Sequence, residues 1–239
     1  MQSTEAARRQ YLDAMGIALW ERRAPLSAAV ADARVVKLPG TIAPVVIAPP
    51  AGAGPDWTVL EAAVRGCTKC PLHATRTQTV FGAGNRRAQW MFVGEAPGAD
   101  EDRVGEPFVG RAGQLLNAMI AALGLKREDV YIANVLKCRP PNNRDPQPGE
   151  VEQCESHLIR QIELIQPKLI VALGRHAAHS LLKTDLALAR LRGQRLNYQN
   201  IPLVVTYHPA YLLRTPSDKR KVWEDLRRAR AILLETATA

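Results

Sequence analysis

Cysteine is scarce in this chain, with four in 239 residues, too few for a disulfide-built scaffold, in which cysteine reaches roughly 8–10% of a short sequence. Apolar residues never run for the roughly 18 positions that a membrane-crossing helix needs. The opening MQSTEAARRQYLDAMGIALWERR threads charges through its apolar positions, so it lacks the h-region of a secretory signal. The glycine patterns of dinucleotide and P-loop sites are missing too. Acidic residues are the minority charge, 23 against 32 Lys and Arg, which leaves +9. These absences point to a cytoplasmic protein in reducing surroundings, where thiols more often hold metal than pair with each other. The positive excess suits a polyanionic partner, nucleic acid first; the alternative is that it only keeps the chain soluble.

The remaining composition, 46% hydrophobic and 23% charged, is that of an ordinary globular chain, and the length allows one full core with an appendage. Residues 1–23 read as an amphipathic N-terminal helix carrying Leu12, Met15 and Leu19 at helical spacing, and residues 24–56 as an Ala/Pro-rich linker. Residues 57–239 form the regular part. Its buried strands are expected at 89–94 (QWMFVG), 130–136 (VYIANVL), 168–174 (KLIVALG) and 202–208 (PLVVTYH). Helices are expected at 112–123, 149–165, 175–182 and from about Ser217 to Leu234. Apolar runs alternating with helices define an α/β fold, three layers α/β/α with a central, mainly parallel, four-stranded sheet. Ligands in such folds collect where the strands end.

The cysteines fall at Cys67 and Cys70, then at Cys138 and Cys154 around the turn-rich CRPPNNRDPQPGEVEQC. Only one local knuckle is present, and Cys154 shares a helix face with Val151, Leu158, Ile162 and Ile165. Four thiolates from a loop, a strand end and a helix face suit a [4Fe–4S] cluster better than the paired knuckles of a structural zinc site. Zinc and unligated core thiols remain alternatives.

After the first strand comes GEAPGADEDRVGEPFVGRAGQLL, where Gly94 and Gly98 let backbone approach a ligand. Asn134 is an amide inside an apolar run, costly unless paired. His208 sits at the end of the last strand, held extended by Pro209. A loop carboxylate, a core amide and a loop histidine are the plainer readings of Glu95, Asn134 and His208 taken singly.

Together GEAPG, PFVGRAGQLL, NVLKCRPPNNR, HPAYLLR and the four-cysteine spacing resemble the family 4, iron–sulfur uracil-DNA glycosylases, from about Trp57 to near the C-terminus. The resemblance implies a nucleoid-associated enzyme of base excision repair that acts on uracil-containing DNA, single- or double-stranded, and works as a monomer. It implies a [4Fe–4S] cluster on Cys67, Cys70, Cys138 and Cys154. Gly94, Glu95 and Ala96 would line the uracil and sugar, Phe108 stack on the flipped base, Asn134 read its Watson–Crick edge and His208 face O2. Glu101 would close the C5 side against the methyl of thymine. Better-known uracil glycosylases carry an Asp where Ala96 stands, so Glu95 becomes the candidate for holding water or stabilising the sugar cation.

Arg139, Arg144 and Arg214 are candidate DNA contacts, as is Leu212 or Leu213, one of which would wedge into the vacated stack while the alternative is packing against the last helix. Lys219, Arg220 and Lys221 are further candidates. The N-terminal helix would recruit a replication or repair protein. An iron–sulfur electron carrier would not need Phe108, Asn134 and His208 together, and a zinc-stabilised binding module would lack colour. Covalent trapping on DNA goes with a basic inserted loop ending in His, and KCRPPNNRDP is not one.

Overall fold

The computed structural model describes residues 55–238; the N-terminal helix and all but the last two residues of the linker lie outside them. Helix α1 (Pro55–Arg65) leads to a short β1 (Ala83–Gly84) and to β2 (Trp90–Gly94). Helices α2 (Ala99–Val104) and α3 (Arg111–Ala122) precede β3 (Tyr131–Asn134), and α4 (Pro148–Ile165) precedes β4 (Leu169–Leu173). Then follow α5 (Arg175–Leu182), α6 (Leu188–Leu191), β5 (Leu196–Tyr198), β6 (Ile201–Thr206), α7 (Pro209–Arg214) and α8 (Lys219–Thr238).

The sheet has six strands in the order β1-β3-β2-β4-β6-β5. The four expected from the sequence are its parallel centre; β1 and β5 add antiparallel edges. At two and three residues, the edges are too short to show an apolar pattern, which is why the sequence expectation stopped at four. The central strands are buried on both faces because successive side chains point to opposite sides. Met91, Val93, Ile170 and Val205 enter one core with Trp57, Leu158 and Ile162. Trp90, Phe92, Val171 and Val204 enter the other with Leu116, Ile120 and Leu226. Three layers result, as expected.

Helix α4 starts where Pro148 supplies a preset φ and no donor, and the Glu150 carboxylate reaches back to the Gln147 N–H at 2.9 Å. Its buried face carries Cys154, Leu158, Ile162 and Ile165, as the sequence spacing requires. Each of these aliphatic side chains contributes about 1.5–3 kcal/mol by leaving water. The parallel register sets Gly94 beside Asn134 and Leu173 beside Thr206. The loops that follow β2, β3, β4 and β6 therefore emerge at one end of the sheet. Among the described residues no helix is long and apolar enough to cross a membrane.

Candidate active site

A cavity of about 440 Å³ opens at that end, lined among others by Glu95, Ala96, Glu101, Phe108, Asn134 and His208. Asn134 ends β3 with its backbone in the ladder and its side chain 2% exposed. Its Oδ1 is buried without a hydrogen-bond partner, the costly condition that a ligand donor relieves. Phe108 holds φ at 54°, and its ring lies 5.5 Å from that of His208, tilted by 34°. Gly94 sits beneath both: a Cβ there would collide with Asn134 Oδ1 and with the Phe108 ring. It contributes the space that lets those side chains meet. Gly94→Ala is expected to cost about 1–3 kcal/mol by overpacking. Denaturant unfolding will show this against Gly149→Ala, which meets nothing within 4 Å and should leave stability unchanged or raise it by about 0.4–1 kcal/mol.

Glu101 accepts from the backbone N–H groups of Val109 (2.9 Å) and Gly110 (3.1 Å) through Oε1, and of Gly98 (3.1 Å) through Oε2. It ties the GEAPG loop to the segment carrying Phe108, a bracing role the sequence did not reveal.

His208 caps α7, its Nδ1 accepting from the Ala210 N–H at 3.2 Å, so the proton of the neutral ring resides on Nε2. Burial first, then the Arg214 and His176 charges, push its pKa down to about 4. Close approach here depends on Gly174: φ is +90° and an added Cβ would come 2.9 Å from that of His208. Glu95 is half-buried, and burial, then the nearby Asp145 carboxylate, raises its pKa to about 7 against the lowering effect of Arg175. A carboxylate poised near neutrality can accept a proton from water.

The other expected residues divide. Arg144 and Arg214 line the cavity, although Arg144 is held bidentately by buried Glu150 at 2.9 and 2.5 Å. Arg139 lies outside it and donates to Asn143 Oδ1 at 2.7 Å. Leu212 is 1% exposed within the core, a correction to its candidacy as a wedge; Leu213, at 37%, faces outward. Consecutive helical residues project about 100° apart, so Leu212 can pack inward while Leu213 faces outward. Lys221 and Arg220 meet Asp218 (2.8 Å) and Glu224 (3.6 Å).

The four thiols are free of disulfides and gather around one small cavity bordered by Arg76 and Lys137. Arg76 donates to Cys138 Sγ at 3.0 Å and the Lys137 N–H to Cys154 Sγ at 3.3 Å. Donors aimed at sulfur favour thiolates, so this donor set fits a four-cysteine cluster. Leu72, Leu136, Val151 and Ala96 pack about the cysteines, and Ala96 also borders the larger cavity. Lys137, overlooked in the sequence, is buried with its ammonium on the Asn134 carbonyl (2.8 Å) and Gln161 Oε1 (2.6 Å). Its only sequence signal was a charge at the end of an apolar run.

A mainly parallel sheet whose ends present a carboxylate, an amide, an aromatic ring and a neutral imidazole around one cavity defines the class, and the family model described as Uracil DNA glycosylase superfamily matches residues 81–227. Type-4 uracil-DNA glycosylases are similar over most of the described chain. That of Archaeoglobus fulgidus is 49% identical across 69% of this chain and 87% of its own; that of Thermotoga maritima is 45% identical across 73% and 93%. A type-5 uracil-DNA glycosylase from Pyrobaculum aerophilum is 35% identical across 54% and 64%. The chain belongs to the type-4 uracil-DNA glycosylase family within that superfamily, as the resemblance implied. It is therefore an enzyme, a hydrolase of N-glycosyl bonds.

Proposed function

We propose that the protein removes uracil from DNA and leaves an abasic site, as the first step of base excision repair. The observation that carries this reading is the unpartnered, buried Oδ1 of Asn134 in a cavity shared with Phe108 and His208. Uracil enters only after rotation out of the stack, which costs a few kcal/mol. The Phe108 ring returns about 1–3 kcal/mol by stacking. Asn134 Oδ1 accepts from uracil N3–H and its amide donates to O4; cytosine reverses that pattern and leaves buried groups unpaired. The Glu101-braced segment walls the cavity on the side where the methyl of thymine would project.

In the reaction the C1′–N1 bond breaks and its electron pair leaves with uracil, spread over N1, C2 and O2. The Nε2–H of neutral His208 donates to O2 and stabilises that charge without transferring its proton. Water forms the new bond to C1′, and its proton passes to Glu95. Arg144 and Arg214 favour DNA phosphates nearby, and exposed Leu213 fills the gap in the stack.

Cys67, Cys70, Cys138 and Cys154 would hold a [4Fe–4S] cluster, whose contribution is a rigid, charged anchor rather than a step of the hydrolysis. Both ends of the 138–154 segment would be fixed to it, which would hold Asn143 and Arg144 where they line the cavity. Cys138→Ser is expected to abolish the cluster absorbance and to raise the rate of proteolysis between residues 139 and 147 at least about tenfold, while circular dichroism of the sheet and helices is retained.

A labelled oligonucleotide with one uracil, treated with alkali after incubation, tests the main reading. Strand scission with uracil and none with cytosine or thymine is the expected result; intact uracil DNA from cluster-loaded protein would overturn it. A denaturant-resistant shifted band would mean covalent trapping instead.

A further inference from the structure

Three titratable side chains gather behind Glu95, and none of them lines the uracil cavity. Asp145 comes from the loop between Cys138 and Cys154; Arg175 and His176 form the first turn of α5, directed there by the positive φ of Gly174. His176 Nε2 lies 3.2 Å from Asp145 Oδ2 and 4.0 Å from Glu95 Oε2. One ligand atom from each of Glu95, Asp145 and His176 lies within 4.8 Å of the others. Arg175 Nη2 bridges the group, 3.2 Å from Asp145 Oδ2 and 3.0 Å from His176 Nε2.

Glu95 also stands in the wall between two cavities. The second cavity, about 300 Å³, lies against His176 and carries Val135, Pro146 and Pro148 in its lining. The 4.0 Å gap between His176 and Glu95 is too long for a direct hydrogen bond and suits a shared water. Two carboxylates brought this close compete for protons, so one of them retains basicity into the neutral range.

We propose that Asp145 and His176 are positioning residues for Glu95, a carboxylate–imidazole pair that orients its carboxylate towards the attacking water and keeps it a proton acceptor. The inference rests on the reading of Glu95 as the water-activating group. It gives the 138–154 loop a second task, because the segment anchored beside the cysteines delivers Asp145 to the back of the catalytic carboxylate. Burial, the first cause, holds His176 below the usual histidine range, with Asp145 opposing. The ring is therefore neutral near pH 7 and acts by hydrogen bonding rather than by charge.

Other charged groups surround the site and must be held constant. Glu101, Arg144, His208 and Arg214 face the uracil cavity with Glu95. Glu152, Glu155, His179 and Lys183 face the second cavity, with Lys183 paired to Glu155 at 2.5 Å. None of these is altered by the substitutions that follow.

The test is the pH profile of single-turnover uracil excision, from pH 5.5 to 9, with enzyme in excess over a uracil oligonucleotide. Asp145→Asn, His176→Ala, His176→Gln and Glu95→Gln are compared with the parent protein as cluster-loaded full chains. Asp145→Asn is expected to move the rise of rate to lower pH, because Glu95 loses a like-charged neighbour, and to lower the plateau about 10- to 100-fold through misorientation. His176→Ala should lower the plateau with little displacement of the rise, and His176→Gln, which can still order water, should recover part of it. DNA affinity should not weaken in either position. An unshifted profile and unchanged plateau in Asp145→Asn, with Glu95→Gln inactive, would overturn the inference and leave the role of Glu95 intact. If Glu95→Gln keeps both the parent rate and the rise, the reading of Glu95 itself fails. A loss that follows only the melting temperature, with no shift of the profile and no rescue by glutamine, assigns Asp145 and His176 to stability and also overturns the inference. Should Asp145→Asn fail to fold, the two His176 variants decide by the presence or absence of that rescue.

Discussion

His208→Ala is expected to lower the single-turnover rate of uracil excision about 10²–10³-fold, the effect of removing one donor from a developing anion. The geometry dictates the direction. Ala210 N–H occupies Nδ1, so Nε2–H is free to face the cavity, and a pKa of about 4 keeps the ring neutral throughout the working range. A neutral donor assists the leaving uracil without having to lose a proton first. The factor should accordingly be the same at pH 6 and pH 8.5, and the rise of rate near neutrality should persist in the variant. His208→Gln, which keeps an N–H donor, should recover part of the loss. Equal rates for parent and alanine variant in rapid-quench measurements would remove His208 from the chemistry.

Glu95→Gln carries the second large effect, about 10²–10⁴-fold, the range for loss of a general base. Here the pH dependence distinguishes it from His208. Glu95 must be ionised to accept the proton of water, and with its pKa near 7 kcat/KM of the parent should rise through neutrality and level off above it. Glutamine cannot titrate, so that rise should vanish along with the rate. Stability supplies an independent check. The folded-state pKa lies above the unfolded value, so the folded protein holds this proton more tightly and loses stability as pH climbs from about 4.5 to 7. Glu95→Gln should therefore be more stable than the parent at pH 8, by urea unfolding, and closer to it at pH 5. A carboxylate that only structured its loop would show neither the lost rise nor the gain in stability.

Much of this arrangement was legible in the residues. Apolar runs placed the four central strands to within one or two residues at most ends, since a strand buried on both faces must be apolar at every position. The last strand stopped earlier than expected: Tyr207 and His208 had been assigned to it, but it ends at Thr206, where Pro209 helps start α7 and His208 becomes its cap. The inward face of Cys154 followed from helical spacing alone. Helix α2 was not anticipated because six residues, four of them charged (Asp100, Glu101, Asp102 and Arg103), carry no apolar stripe. Its buried Asp102 is satisfied by the Thr77 N–H at 3.0 and 3.1 Å, a partner 25 residues away. His176 falls in the opening turn of the helix expected at 175–182, and no local pattern links it to residue 95 or 145.

The sequence by itself determined the layered α/β architecture and four thiols whose spacing suits one shared cluster, which follow from periodicity and spacing. That the amide, the aromatic and the imidazole serve one site was implied by the resemblance of their motifs to a known family, since Asn134 and His208 taken singly read as a core amide and a loop histidine. Tertiary structure alone decided that Leu213 rather than Leu212 faces outward, that Gly94 makes room for Asn134 and Phe108, and that Lys137 fastens the Asn134 carbonyl beside the cysteines. It also decided that Asp145 and His176 stand behind Glu95. The physical reason is the same in each case: burial, collision and the Coulomb interaction depend on distances between segments remote in the chain, and those distances are set only when the two cores close on the sheet.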